Sequence, residues 1–236
     1  MPLTALLHCN DLYMTQSLAG IDGYAKGWVI AILRDRHIVW RTCGIHDLES
    51  ELKDLDVIGI DIPIHLVKKG WRTCDLEAKT AMGKAGSRVF MTPPKAVLEL
   101  GFATPNDEVQ ALSVELTGKG VSRQAMALAE RVLAVNALLP DSRLYEVFPE
   151  LVFAALDGAV LPSKKTATGA GARMRALDPW LTTLGTSCAL LMKQCPKDVP
   201  VDDALDAIAA LAGALRISNG VARRWPTRGN VPTIWA

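Results

Sequence analysis

The sequence predicts an α/β fold in which helices flank a mixed β-sheet of three antiparallel strands followed by parallel strands. Short apolar runs separated by turn residues fill positions 18–61, and helical patterns dominate the rest of the chain. A helical segment separates the third run from the fourth, and a crossover of this kind places the fourth strand parallel to a neighbour. The 236 residues, half of them hydrophobic, suffice for one large domain or for a core domain with an inserted subdomain.

The first three strands are predicted at 18–22, 28–33 and 37–42, where apolar residues run almost continuously. The segments between them, 23–27 and the pair Asp35-Arg36, carry residues that favour tight turns. Because such short connections join neighbouring strands, we expect an antiparallel meander. The fourth and fifth strands are predicted at 57–61 and 144–149.

Helical patterns account for most of the remaining chain. They are predicted at 46–53, 75–82, 122–139, 150–156, 173–184 and 203–219. Ser122 is a typical N-cap, and Pro140 follows the end of the same helix. The small and polar residues at 162–171 predict a mobile loop between two of the helices.

These elements suggest one domain at 17–220 with a helical insertion around 64–140. Residues 1–16 have no clear periodicity and are expected to be an N-terminal extension, because Met14 resembles an alternative start. Residues 221–236 are expected to form a C-terminal tail.

Composition excludes several classes of protein. The net charge of +1 gives no overall attraction to nucleic acid, so a basic binding surface must be local. No apolar stretch is long enough to span a bilayer, and the N-terminal residues do not resemble a signal peptide. The five cysteines are scattered and form no C-x-x-C pair, which argues against zinc and disulfides. We therefore expect a reduced, cytoplasmic protein without a membrane partner.

Acidic residues stand at the ends of two apolar runs and at the start of an apolar helix. Asp22 and Asp61 follow the first and fourth runs, where a buried carboxylate is costly unless a cation pairs with it. Asp203 and Asp206 are three residues apart and so share one helix face. Carboxylates on separate elements, with only four unclustered histidines, suggest a divalent-metal site of oxygen ligands.

Simpler interpretations of these acids remain open at this level. Asp22 precedes Gly23, and Asp-Gly is a common turn pair. Asp203 and Asp206 could serve only the helix dipole, which favours acids in the first turn. The apolar surroundings of Asp61 favour a functional role most clearly. Glu146 and Glu150 are candidates for a further acidic ligand.

Several short motifs occur in a definite order along nearly the full chain. They are Gly20-Ile21-Asp22-Gly23, Gly27-Trp28, Ile60-Asp61-Ile62-Pro63, Arg72-Thr73-Cys74-Asp75, Ser87-Arg88-Val89-Phe90 with Pro93-Pro94, Phe148-Pro149-Glu150, Ser163-Lys164-Lys165 and 203–207. In this order they resemble the predicted RNase-H-like nuclease family catalogued as domain of unknown function 429. The segment at 203–207 also resembles the Asp-x-x-Asp-Ala helix of the Holliday-junction resolvase RuvC.

The resemblance implies an RNase-H-like fold and a metal-dependent nuclease that hydrolyses DNA or RNA. It implies that Mg²⁺ or Mn²⁺ is held by Asp22, Asp61, Asp203 and Asp206, two such ions being about 4 Å apart in two-metal phosphoryl transfer. Glu150 falls on the family's Pro-Glu position and is favoured over Glu146 as a further catalytic acid. The family usually has His-Pro-Glu, and this chain has phenylalanine at the first of these positions.

Basic residues near these motifs are candidates for phosphate contacts, since lysine and arginine position a phosphate backbone without reading its sequence. They are Arg72, Arg88, Lys164, Lys165 and Arg173. The alternative is a non-catalytic metal- or nucleic-acid-binding regulatory module on the same fold. The sequence leaves the oligomeric state open.

Overall fold

A computed structural model describes residues 16–229 and 232–236. Its main sheet has the strand order β3-β2-β1-β4-β5. The strands are β1 (Leu18–Tyr24), β2 (Gly27–Arg34), β3 (His37–Cys43), β4 (Val57–Ile60) and β5 (Leu144–Glu146). Strands β1, β2 and β3 form an antiparallel meander, whereas β4 is parallel to both β1 and β5. The meander and the parallel fourth strand are thus confirmed, as is the mixed α/β fold.

Helices make up most of the remaining described chain. They are α1 (Leu48–Glu51), α2 (Thr73–Ala81), α3 (Lys95–Glu99), α4 (Asn106–Thr117), α5 (Arg123–Ala127), α6 (Ala129–Asn136), α7 (Pro149–Asp157), α8 (Ala167–Thr183), α9 (Cys188–Gln194) and α10 (Val201–Ser218). Short 3₁₀ segments occupy Ile45–Asp47 and Gly83–Arg88. No helix in the described ranges is long and apolar enough to cross a bilayer.

The chain divides into two compact units. One contains the described residues up to Asp61, Asp141–Arg223 and Trp235–Ala236, and therefore holds the five-stranded sheet with α1 and α7 to α10. The other contains Ile62–Pro140 and the described part of 224–234, and holds α2 to α6. Residues 64–140, expected as an insertion, lie in this second unit. The extension expected at 1–16 lies outside the described residues except for Gln16.

Several boundaries differ from the sequence-based expectation. The helical stretch at 122–139 is divided at Leu128 into α5 and α6, with the Ser122 hydroxyl accepting a hydrogen bond from Ala125 N at 3.1 Å. The loop expected at 162–171 is shorter, because α8 begins at Ala167 with Thr166 as its N-cap. The expected tail contains two short strands, β6 (Arg224–Trp225) and β7 (Ile234–Trp235), which form a small second sheet.

Helix α10 lies directly against the centre of the five-stranded sheet. A Cβ atom on Gly20 of β1 would lie 2.0 Å from the backbone nitrogen of Leu211 and 2.2 Å from the carbonyl oxygen of Ala207. A Cβ on Gly59 of β4 would lie 2.5 Å from the carbonyl oxygen of Ala210. Glycine on the strands and alanine on the helix therefore allow backbone-to-backbone packing, which brings the first turns of α10 close to the ends of β1 and β4.

Candidate metal centre

Asp22 and Asp61 are placed side by side by the register of two parallel strands. Ile21 of β1 is paired with Ile60 of β4, so the two aspartates are the next residues along adjacent strands. The backbone N–H of Asp61 donates to the carbonyl oxygen of Ile21 at 2.9 Å. Side chains alternate between the two faces along each strand, so residues in matched positions, here Asp22 and Asp61, project from the same face of the sheet.

Asp206 brings a third carboxylate to this position from the second turn of α10. One carboxylate oxygen each of Asp22, Asp61 and Asp206 can be chosen so that all lie within 4.8 Å of one another. Oxygens on opposite sides of one ion, bound at about 2.1–2.6 Å, are about 4.2–5.2 Å apart. The three carboxylates therefore have the spacing of ligands that share a divalent cation.

The electrostatics of this cluster disfavour three ionised carboxylates. Burial, reinforced by the charges of Asp61, Asp206 and Asp203, raises the pKa of Asp22 well above its usual value. Burial and then Asp206 raise the pKa of Asp61 in the same way, and burial raises the pKa of Asp206. Since the protein concentrates more negative charge here than its surroundings neutralise, a bound cation would stabilise the site.

Lys164 brings a positive charge into direct contact with the cluster. Its Nζ atom lies 2.5 Å from Oδ2 of Asp206 and 4.0 Å from Oδ2 of Asp202. Burial lowers the pKa of Lys164, but the charges of Asp206, Asp22 and Asp61 outweigh this and raise it above the usual lysine value. The sequence suggested Lys164 as a phosphate contact, and the structure adds that it is the ion-pair partner of Asp206.

Asp203 lies in the first turn of the same helix, outside the group of three. Its charge contributes to the raised pKa of Asp22, so it is near the cluster. Asp206 rather than Asp203 joins Asp22 and Asp61, because α10 is oriented with Asp206 toward the sheet. Lys165, the other lysine of its motif, is exposed.

Glu150 and Arg173 form a buried ion pair. Arg173 also donates to the carbonyl oxygens of Pro162 and Gly169, each at 2.9 Å, and is only 1% exposed. This guanidinium is therefore committed to protein partners and cannot serve as the surface phosphate contact that the sequence suggested. Nothing in the spacing of Glu150 and Arg173, 23 residues apart, signals the pair.

Glu146 lies on β5, where it is paired with Ile60, the residue before Asp61. It is buried, and its charge raises the pKa of Asp61 more than the charge of Glu150 does. Both glutamates are thus near the cluster. Both glutamates therefore remain candidates for a further acidic ligand.

Arg72 belongs to the second unit and is also buried in an ion pair. Its guanidinium makes two hydrogen bonds to Asp75 and a third to the carbonyl oxygen of Ile64 at 2.8 Å. Asp75 in turn accepts from Thr92 N at 2.9 Å. Arg72 therefore links three segments of this unit, and its guanidinium is buried among protein partners. The three-residue spacing of opposite charges was the signal for this pair.

Arg88 ends the 3₁₀ segment Gly83–Arg88 in the second unit. It lines a cleft of about 500 Å³ together with Trp71, Lys79 and Lys119. The structure thus separates the five predicted basic residues: Lys164 lies at the carboxylates, Lys165 is exposed, Arg88 lines this cleft, and Arg72 and Arg173 lie in buried ion pairs.

The fold and the cluster define an α/β protein with convergent carboxylates on two parallel strands and a helix. The family described as Protein of unknown function (DUF429) matches residues 20–230, and the chain belongs to this family. No curated protein and no solved structure matches the chain. The match confirms the expected membership of this family. It assigns no activity, so the function must be inferred from the site.

The raised pKa values predict how the stability of the metal-free protein depends on pH. A carboxyl group whose folded-state pKa is raised contributes stability below its unfolded pKa, about 3.9, and loses it as the pH rises through the folded value. In EDTA, wild-type protein should therefore lose stability relative to Asp61→Asn as the pH rises from about 4 to 8. Urea unfolding at each pH measures this difference.

A bound divalent ion should restore the stability that the metal-free protein loses as the pH rises. An ion present at 100 times its dissociation constant stabilises the fold by about 2.7 kcal/mol, which corresponds to a rise in melting temperature of roughly 5–10 °C for a chain of this size. Asp61→Asn should respond less, whereas Asp54→Asn, a change at an exposed acid, should behave as wild type. Equal melting temperatures of wild type in EDTA and in millimolar Mn²⁺ would contradict the metal site.

Proposed function

We propose that this chain is a divalent-metal-dependent nuclease with an RNase-H-like fold, and that it hydrolyses phosphodiester bonds of nucleic acid. The observation that carries the proposal is the convergence of Asp22, Asp61 and Asp206 from two adjacent parallel strands and the last long helix. The strand order supports it, because three antiparallel strands followed by two parallel ones are what the RNase-H-like resemblance implied. These carboxylates also occur in the chain order of that resemblance.

The residues present fit a Mg²⁺ or Mn²⁺ ion. Both ions prefer oxygen ligands, and the cluster offers carboxylates from Asp22, Asp61 and Asp206. Asp203, Glu146 and Glu150 are close enough to influence the cluster electrostatically and are candidates for completing the ligand set. When bound, the ion supplies Lewis-acid stabilisation of the negative charge that develops on a phosphate during hydrolysis.

Differences in exposure indicate where a substrate would approach. Asp22 and Asp206 are 7% and 4% exposed, whereas Asp61 is half-buried and the side chain of Lys164 is 36% exposed. The side of the cluster that solvent reaches is therefore formed by Asp61 and Lys164. A phosphodiester arriving there would meet the ammonium of Lys164, which can hold a phosphate without reading the base sequence.

The second candidate function is a metal-binding module that does not cleave. Phe148, the N-cap residue of α7, favours it, because the resemblance places a histidine at this position. Phenylalanine can neither transfer a proton nor bind a metal ion. The two candidates share the metal site and differ in the chemistry that follows metal binding.

The deciding experiment is a panel of labelled single-stranded, duplex, hybrid and branched DNA and RNA substrates, incubated with Mn²⁺, Mg²⁺ or EDTA. The nuclease proposal expects cleavage of at least one substrate class with a divalent ion and none with EDTA. Metal binding measured by calorimetry without cleavage of any substrate would favour the non-catalytic module instead. The substrate class that is cut would also decide between DNA and RNA.

A further inference from the structure

The loop that carries Lys164 is held in place on both sides of this residue. Arg173 binds the carbonyl oxygen of Pro162, and the hydroxyl of Thr166 donates to the carbonyl oxygen of Ser163 at 2.9 Å. The loop also packs closely on α8, where a Cβ on Gly169 would lie 1.9 Å from that same Ser163 oxygen. The main chain on both sides of Lys164 is therefore anchored, so a displacement of its ammonium requires rotation of the side chain itself.

The ammonium of Lys164 uses a carboxylate that a metal ion would need. It lies 2.5 Å from Oδ2 of Asp206, one of the three clustered residues, and its positive charge repels any cation bound beside it. Carboxylates that bind a metal ion are deprotonated, so with a divalent ion bound the ammonium would be a further positive charge beside that ion. Lys164 therefore stabilises the metal-free cluster and opposes metal binding to it.

A second carboxylate lies beside the ammonium on the outer side. Asp202 is 4.0 Å away and 50% exposed, whereas Asp206 is buried. The ammonium thus lies between the buried cluster and solvent, and a movement toward solvent keeps it near an acidic group. This placement allows Lys164 to leave Asp206 without its charge being abandoned in an apolar environment.

We propose that Lys164 is an exchangeable counter-ion of the metal centre, which neutralises Asp206 in the metal-free protein and turns to the phosphodiester when a divalent ion binds. The inference rests on the proposed function and adds a positioning role for this lysine. Metal and ammonium compete for Asp206, and substrate phosphate offers the displaced ammonium a new partner. Lys164 would thus hold Asp206 in place when no metal is bound and contact the substrate phosphate when metal is bound.

A purely structural ion pair makes the opposite prediction for metal affinity. If Lys164 only held its loop to α10, replacing it would loosen Asp206 and weaken metal binding or leave it unchanged. If Lys164 is displaced by the ion, replacing it by an uncharged residue removes a competitor and tightens metal binding. The two roles therefore predict opposite changes in the dissociation constant for the metal ion when Lys164 is replaced.

The test is calorimetric titration of Mn²⁺ alone into wild type, Lys164→Gln, Lys164→Arg and the control Lys53→Gln, whose lysine is exposed and is not a candidate phosphate contact. Lys164→Gln should bind Mn²⁺ about 10-fold more tightly, since a tenfold change matches the removal of one weakly screened charge at this range. Lys164→Arg keeps the charge and should bind Mn²⁺ as wild type does, so tighter binding by Lys164→Gln can be assigned to the lost charge. At saturating Mn²⁺, Lys164→Gln should raise the KM for an oligonucleotide about 10-fold.

Unchanged or weaker Mn²⁺ binding by Lys164→Gln, with wild-type binding intact, overturns the exchange and leaves the nuclease proposal standing. Tighter binding by Lys164→Arg also overturns it, because the charge would then not be the competitor. Absence of Mn²⁺ binding to all four proteins would instead overturn the proposed function, and the exchange with it.

Discussion

Asp61→Asn is expected to lower the Mn²⁺-dependent cleavage rate by at least about 100-fold while the chain stays folded. The amide has the shape of the carboxylate but lacks the charge that would hold a divalent ion on the open side of the cluster. Loss of one group that stabilises transition-state charge costs about 10²–10³ in rate, and loss of an ion costs at least as much. The backbone bond from Asp61 to Ile21 does not involve the side chain and should survive.

Initial rates on the best substrate of the panel measure this effect, with circular dichroism as the check of folding. Asp22→Asn should show a loss of similar size, since its carboxylate belongs to the same group of three. Asp54→Asn, prepared in parallel, should cleave at the wild-type rate. If activity survives equally in the Asp61 and Asp22 variants, it comes from a contaminant and the nuclease proposal loses its support.

Gly20→Ala is expected to lower the free energy of unfolding by about 3 kcal/mol or more, enough to prevent folding of a marginally stable chain. The added Cβ would lie 2.0 Å from Leu211 N and 2.2 Å from the carbonyl oxygen of Ala207. These are backbone atoms of a buried helix, so relief of the clash requires α10 to move away from β1. Urea unfolding followed by circular dichroism measures the change.

The same displacement should also weaken metal binding in any Gly20→Ala protein that folds, because α10 carries Asp206. Gly171→Ala provides the matched control, since its Cβ would meet only the tip of the Arg175 side chain at 3.5 Å. Alanine is favoured over glycine within a helix by up to about 1 kcal/mol, so this control should be neutral or stabilising. If Gly20→Ala were as stable as wild type, the backbones of α10 and β1 could not be in direct contact at Gly20.

Local patterns in the sequence were sufficient for the elements of the sheet. Turn residues at 23–27 and 35–36 predict the meander because tight turns depend on backbone preferences of a few adjacent residues. The apolar run ending at Asp61 predicts a buried strand for the same local reason. Helix ends were less well predicted: the start of α8 at Ala167 depends on capping by Thr166 and on loop packing, which composition alone does not reveal.

The composition of the candidate site was partly visible in the sequence as well. Asp22 and Asp61 follow apolar runs, and a carboxylate in such a position requires an electrostatic partner whatever the fold. The spacing of Asp203 and Asp206 also placed both on one helix face, without showing which of them turns toward the strands.

Local sequence patterns were therefore sufficient for the five strands of the main sheet, most of the helices and the acids at their ends, but not for β6 and β7. Packing of the folded chain, in contrast, selects Asp206, joins Arg173 to Glu150 and pairs Lys164 with Asp206. The difference lies in the sequence separation over which each interaction acts. Turns and periodicity act over a few residues, whereas an ion pair between residues 42 apart exists only after α10 has packed against glycine on β1.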